Sequence, residues 1–196
     1  TFTASEAIST PVVTFQSGGS SINGNVTVQN TSGNTWTAVY TANASDTDGA
    51  VSYSIAFSDT AGNAGSAVTS GSGSVTTDTT APTLSNVSIT SDNSTSTLAK
   101  AGDDVTLTFT ASEAISTPVV TFQSGGAAIT DGSIVYNNTS GNTWTADLTL
   151  KENITAGLLK FYISFNDTTG NSGISVSKTT DGTNISITLD EKGPLL

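Results

Sequence analysis

Residues 1–19 read TFTASEAISTPVVTFQSGG, and the same letters return at 108–126. A second block, NTSGNTWTA at 30–38, returns at 138–146. The chain is one module used more than once, with a period of 107 to 108 residues. A period that long is a whole small domain, not a solenoid repeat. Near-identical tandem domains supply length, spacing or avidity more readily than one unique reaction centre.

The repeated stretch also sets the secondary structure. Val105, Leu107, Phe109 and Ala111 alternate with Thr106, Thr108 and Thr110, as in a strand with one face in a core. Trp36, Ala38 and Tyr40 repeat the pattern, as do Trp144, Ala146 and Leu148. This phase turns both tryptophans inward and makes them core residues rather than sugar-stacking platforms. The best strand has Val51, Tyr53, Ile55 and Phe57 inward; 108 residues later stand Leu159, Phe161, Ile163 and Phe165. Every inward position stays apolar, while the outward ones vary among Ser, Ala, Lys and Tyr. Turn signals fall between the strands at Ser17-Gly18-Gly19, Ser32-Gly33-Asn34, Asp48-Gly49 and Gly62-Asn63. No stretch has helical periodicity. Short strands at this spacing predict an all-β fold of tandem immunoglobulin-like β-sandwiches.

In the second module the expected strands are A at 83–90, B at 104–112, C at 118–123, a short C′ at 133–137, E at 143–150, F at 158–166 and G at 173–180. The expected domains are 1–78, a module lacking its first strand; 79–181, a complete module; and 182–196, the first strand of a following module or a donor strand. The last assignment rests on NISITLD at 184–190, which resembles NVSITSD at 86–92. Pro82 stiffens the junction at 78–82, favouring a semi-rigid, extended tandem. The chain opens on TFTASE without an initiating Met, which suggests a piece of something longer or a processed product.

Composition narrows the chemistry. The 196 residues carry a net charge of −11, with no His, no Cys and 11% charged residues. All five lysines lie in the second half. Such an acidic surface repels phosphate backbones, so no nucleic-acid partner is expected. Lacking His and Cys, the chain lacks the commonest zinc and thiol chemistry and the usual Ser-His and Cys-His nucleophile pairs. No apolar run is long enough for membrane insertion.

Four motifs look familiar: DTTAP at 78–82, LTFTASE at 107–113, GNTWTA at 33–38 and 141–146, and F-x-D-T-x-G-N-x-G at 57–65 and 165–173. Together they resemble the bacterial and archaeal Ig-like repeats of large cell-surface proteins. The resemblance implies an immunoglobulin-like sandwich in a giant adhesin, a surface stalk or an S-layer protein. Asp181-Gly182-Thr183, read as a second linker, departs from the pattern because Ala-Pro is missing.

In such a sandwich the B–C loop, the F–G loop and the incoming linker share one end. These carry Glu113, Asp167 and Asp78, a candidate set for a hard cation such as calcium. The alternative is that Asp167 accepts backbone N–H bonds as a turn residue and Glu113 is solvated. Asp46-Thr47-Asp48-Gly49 looks like part of an EF-hand loop but lacks its closing Glu, and reads as a turn. Glycosylation sequons are dense: Asn25, Asn30, Asn43, Asn86, Asn93, Asn137, Asn138, Asn153, Asn166 and Asn184 are candidates. Asn137 and Asn138 cannot easily both carry glycans.

The leading expectation is a non-enzymatic structural segment of an extracellular, cell-surface protein. Its partners are neighbouring Ig-like modules of the same or identical chains. One alternative is a filament subunit, with Ile185, Ile187 and Leu189 donated to the next chain by strand addition. Another is an adhesin binding a surface ligand; that needs an exposed cluster differing between the modules, and none is evident from the sequence.

Overall fold

A computed structural model describes residues 1–189. The chain divides into two units between Thr80 and Ala81. The first contains β1 (Phe2–Thr3), β2 (Val12–Ser17), β3 (Ser20–Ser21), β4 (Thr27–Ser32), β5 (Thr35–Val39), β6 (Gly49–Ala56) and β7 (Thr76–Thr77). They form one sheet in the order β1-β5-β4 and another in the order β3-β2-β6-β7.

The second unit contains β8 (Leu84–Ser91), β9 (Leu98–Ala99), β10 (Asp104–Ala111), β11 (Val119–Ser124) and β12 (Ala127–Ala128). It continues with β13 (Ile134–Ser140), β14 (Thr143–Thr149), β15 (Gly157–Ser164) and β16 (Ser186–Ile187). Its sheets run β13-β14-β10-β8 and β12-β11-β15-β16-β9. Neighbouring strands are antiparallel except β16 and β9, which pair in parallel. Both units are immunoglobulin-like β-sandwiches, and the protein is an all-β tandem of them.

The core of the second unit follows the alternation closely. Val105, Leu107, Phe109 and Ala111 are buried from β10, Phe122 from β11, and Leu159, Phe161 and Ile163 from β15. Ala146 and Leu148 join them from β14, and Trp144 packs half-buried against the same cluster. Matching positions are covered unevenly: Trp36 is buried where Trp144 is half-buried, but others are less covered in the first unit. Phe2 is half-buried where Phe109 is enclosed, and of Val51, Tyr53, Ile55 and Phe57 only Ile55 is buried. The cause is the neighbourhood. β8 and β9 bring Val87, Ile89 and Ala99 onto the second unit's core. In the first unit, among the described residues, no such strands flank β1 or β7.

The recurring Ser-Gly-Gly has a steric reason. Gly125 sits at φ 56°, and a Cβ there would lie 2.5 Å from the Ala156 carbonyl oxygen. A Cβ on Gly157 would lie 2.7 Å from the Cα of Gly125, so the turn and the start of β15 meet through two glycines.

The end of the chain corrects the expected boundaries. Ile185 and Ile187 are buried in the second unit's own core, at 0% and 3% exposure. Gly157 pairs with Ile187, and Leu158 with Ser186. Residues 184–188 therefore supply the unit's closing strand, not the opening of a following module and not a free donor. Leu189 is exposed beside them, and Asp190 onward lies outside the described residues. The segment expected to be strand G is no continuous strand: Val176 bridges Ile163, Gly173 N donates to the Phe165 carbonyl, and Thr180 N donates to the Val87 carbonyl of the opposite sheet. Asp181-Gly182-Thr183 is a turn inside the unit rather than a linker: Asp181 Oδ1 accepts from Thr183 N at 2.9 Å and from Thr183 Oγ1 at 2.7 Å.

Candidate functional site

The F-x-D-T-x-G-N-x-G motif builds a carboxylate-centred turn in each unit. In the second, Asp167 Oδ1 accepts from the backbone N–H groups of Thr169 at 2.8 Å, Gly170 at 2.6 Å and Asn171 at 2.8 Å. Thr169 Oγ1 donates to the same oxygen at 2.9 Å, and Asn171 Nδ2 donates to Oδ2 at 2.7 Å. Asp59 does the same in the first unit, accepting from Ala61 N, Asn63 N and Asn63 Nδ2. The motif's last glycine lies against its first residue. A Cβ on Gly173 would run into the Phe165 ring, so this position must be bare.

Asp167 is buried, at 2% exposure. Desolvation pushes its pKa up, but the bonds from Asn171, Thr169 and Gly170 outweigh that and hold it at about 2. Glu113, half-buried, belongs to the same unit, and the nearby Ile115 bridges Asp167. Asp78, the third expected cation ligand, belongs to the first unit.

Other carboxylates play the same part. Asp46 is buried and accepts from the Tyr40 hydroxyl, from Asn43 N at 2.8 Å and from Asn23 N at 2.9 Å. The Tyr40 bond comes first among the causes that lower its pKa. Desolvation, and then Asp46 itself, raise that of Tyr40. Asp48 accepts from Thr80 Oγ1 at 2.5 Å and from Thr79 N at 2.7 Å, which ties the exit of the first unit to its β6 turn. Those hydroxyl and amide bonds lower the Asp48 pKa, as bonds from Asn63 lower that of Asp59 and bonds from Thr183 that of Asp181. The stretch at 46–49 is thus a hydrogen-bonded turn.

All ten sequon asparagines except Asn93 are exposed. Asn93 is half-buried, and its Nδ2 donates to Asp103 Oδ2 at 2.7 Å.

A further feature was passed over in the sequence. The outer face of β15 carries Leu158, Lys160 and Tyr162, opposite Thr121 and Gln123 of β11. With Lys178 these residues line a cavity of about 730 Å³. Its roof is the segment between Val176 and Ile185, which leaves β15 and hooks onto the opposite sheet. Thr180 N donates to the Val87 carbonyl at 2.7 Å, and Ile89 N donates to Thr183 Oγ1 at 3.2 Å. The first unit keeps Thr14 and Gln16 but pairs them with Ser54 and Ser52. The signal was present in the variable outward positions, and it needed the register to become a cluster.

No family model matches the chain, and no curated protein matches it. Solved structures that resemble it include a chimeric titin Z1Z2 functionalized with an exogenous peptide from decorin. That match has 14% identity over 93% of this chain and 83% of the other, with a TM-score of 0.33. A pair of titin Ig tandem domains matches at 16% identity over 93% of this chain and 83% of the other, with a TM-score of 0.26.

Proposed function

We propose that the chain is a non-enzymatic structural segment of an extracellular surface protein, a tandem of immunoglobulin-like modules in an S-layer lattice or a long stalk. The observation that carries this reading is the carboxylate lock used in both units. Asp59 and Asp167 each accept several donors of their own turn and are held as anions. Asp46, Asp48 and Asp181 are likewise shifted downward. A general acid needs the opposite shift, toward neutrality. These groups are therefore suited to holding loops rather than moving protons. The exposed sequons and the acidic surface support a glycosylated cell-surface setting. The filament alternative loses its donor strand, since Ile185 and Ile187 are used within the unit.

The test is antibody labelling of intact cells of the source. Surface labelling is expected, with the protein migrating above its sequence mass until N-glycans are removed. Labelling seen only after permeabilisation overturns the assignment. Calcium is kept as the proposed cofactor: melting in calcium and in chelator checks it, and identical curves remove it.

A further inference from the structure

The cavity on the outer face of β11 and β15 stands apart from the structural reading above. The two modules differ in chemistry on this face. The β11 face is the same in both: Thr121 and Gln123 repeat Thr14 and Gln16. Across from it, Ala50, Ser52 and Ser54 of the first unit become Leu158, Lys160 and Tyr162. At the same offset of 108 residues Ser70 becomes Lys178. Core packing does not ask for these changes, because all four side chains point away from the core.

Exposure and charge indicate what the face is suited to meet. Tyr162 is 51% and Leu158 46% exposed, so an aromatic ring and an aliphatic side chain stand open to solvent. The net charge is −11, yet two of the five lysines line this one cavity and no carboxylate does. Among the described residues neither ammonium has an ion-pair or hydrogen-bond partner. The volume of about 730 Å³ suits a ligand of a few rings. The groove exists because residues 177–184 leave the edge of β15 between its bonds at Leu159 and Ile163 and cross to β8.

We propose that this groove is a binding site for an acidic oligosaccharide, one bearing carboxylates on its sugar rings. A sugar presents an apolar C–H face and a rim of hydroxyls. Tyr162 and Leu158 offer the flat apolar partner. Thr121 and Gln123 offer hydroxyl and amide groups, and Lys160 and Lys178 pair with the carboxylates. A neutral sugar leaves the two lysines unused. A simple polyanion leaves the aromatic face unused.

The test is titration of the full chain, isotope-labelled, with tetragalacturonate. Controls are the same tetrasaccharide reduced to neutral galactose units and an oligoglutamate of equal charge. NMR shifts are expected at Thr121, Gln123, Lys160, Tyr162 and Lys178 and not at Thr14, Gln16, Ser52 or Ser54. Both controls should bind at least about tenfold more weakly. Lys160→Ser and Tyr162→Ser install the first unit's residues on an exposed face, and each should weaken binding about tenfold. Binding should also weaken as salt rises. The proposal is overturned if tetragalacturonate gives no shifts at millimolar concentration, or if both units shift alike. It is equally overturned if oligoglutamate binds as well and Tyr162→Ser changes nothing, which would leave only a patch of positive charge.

Discussion

Trp144 packs half-buried against the core, and its indole N–H is enclosed without an acceptor among the described residues. The ring therefore contributes through apolar contact alone. Trp144→Ala should destabilise the second unit by about 2–4 kcal/mol, and Trp144→Phe by less than about 1 kcal/mol, since no hydrogen bond is lost. Chemical denaturation of both variants checks this; a Phe variant as damaged as the Ala variant would show that the N–H has a partner. Asp167 carries a pH dependence of known sign. Its pKa falls from 3.8 to about 2 on folding, so its stabilising effect is complete above the unfolded value and is lost as pH falls through the folded one. Melting temperature should drop between pH 4 and 2. Asp167→Asn places an amide against the Asn171 amide, and should lower the melting point at neutral pH while flattening that acid limb. An unchanged acid limb would mean that other carboxylates dominate it.

At the scale of elements, the closing strand is the decisive piece. β16 covers the edge of β15, pairs with β9 and buries Ile185 and Ile187 around it. Removing residues 184–196 takes away both isoleucines, which together contribute about 3–6 kcal/mol by burial. The second unit should then lose its cooperative melting transition while the first keeps its own. A truncated chain with both transitions intact would return this segment to the role of a dispensable tail. The sequence was misread here for a physical reason. Ile174, Val176, Ile185 and Ile187 all sit in short alternating runs, and alternation records which side of a strand is apolar, not which neighbour it pairs with. Only the bonds from Leu159 to Ile185 and from Ile163 to Val176 show that the strand is split, with an excursion between.

Across the whole molecule, two units share much of their sequence but not their burial. The enclosed core of the second has no equal in the first, where Val51, Tyr53 and Phe57 remain partly exposed. Stability follows apolar area removed from water, so the first unit of this 196-residue chain should open first. Hydrogen exchange read by peptide should show β6 losing protection before β15; the reverse order would contradict the burial argument.

The sequence by itself determined the duplication, the all-β class, the inward rows of both units and the turn role open to Asp167. Each is a local matter of period, phase or spacing, readable without knowing any neighbour. Tertiary structure decided how completely the inward rows are covered, with Phe109 enclosed and Phe2 half-buried, since partner strands do the covering. It also decided that Lys160, Tyr162 and Lys178 meet around one cavity. Cross-strand register and the path of residues 177–184 bring them together, and both depend on pairing between distant segments, which no local pattern encodes.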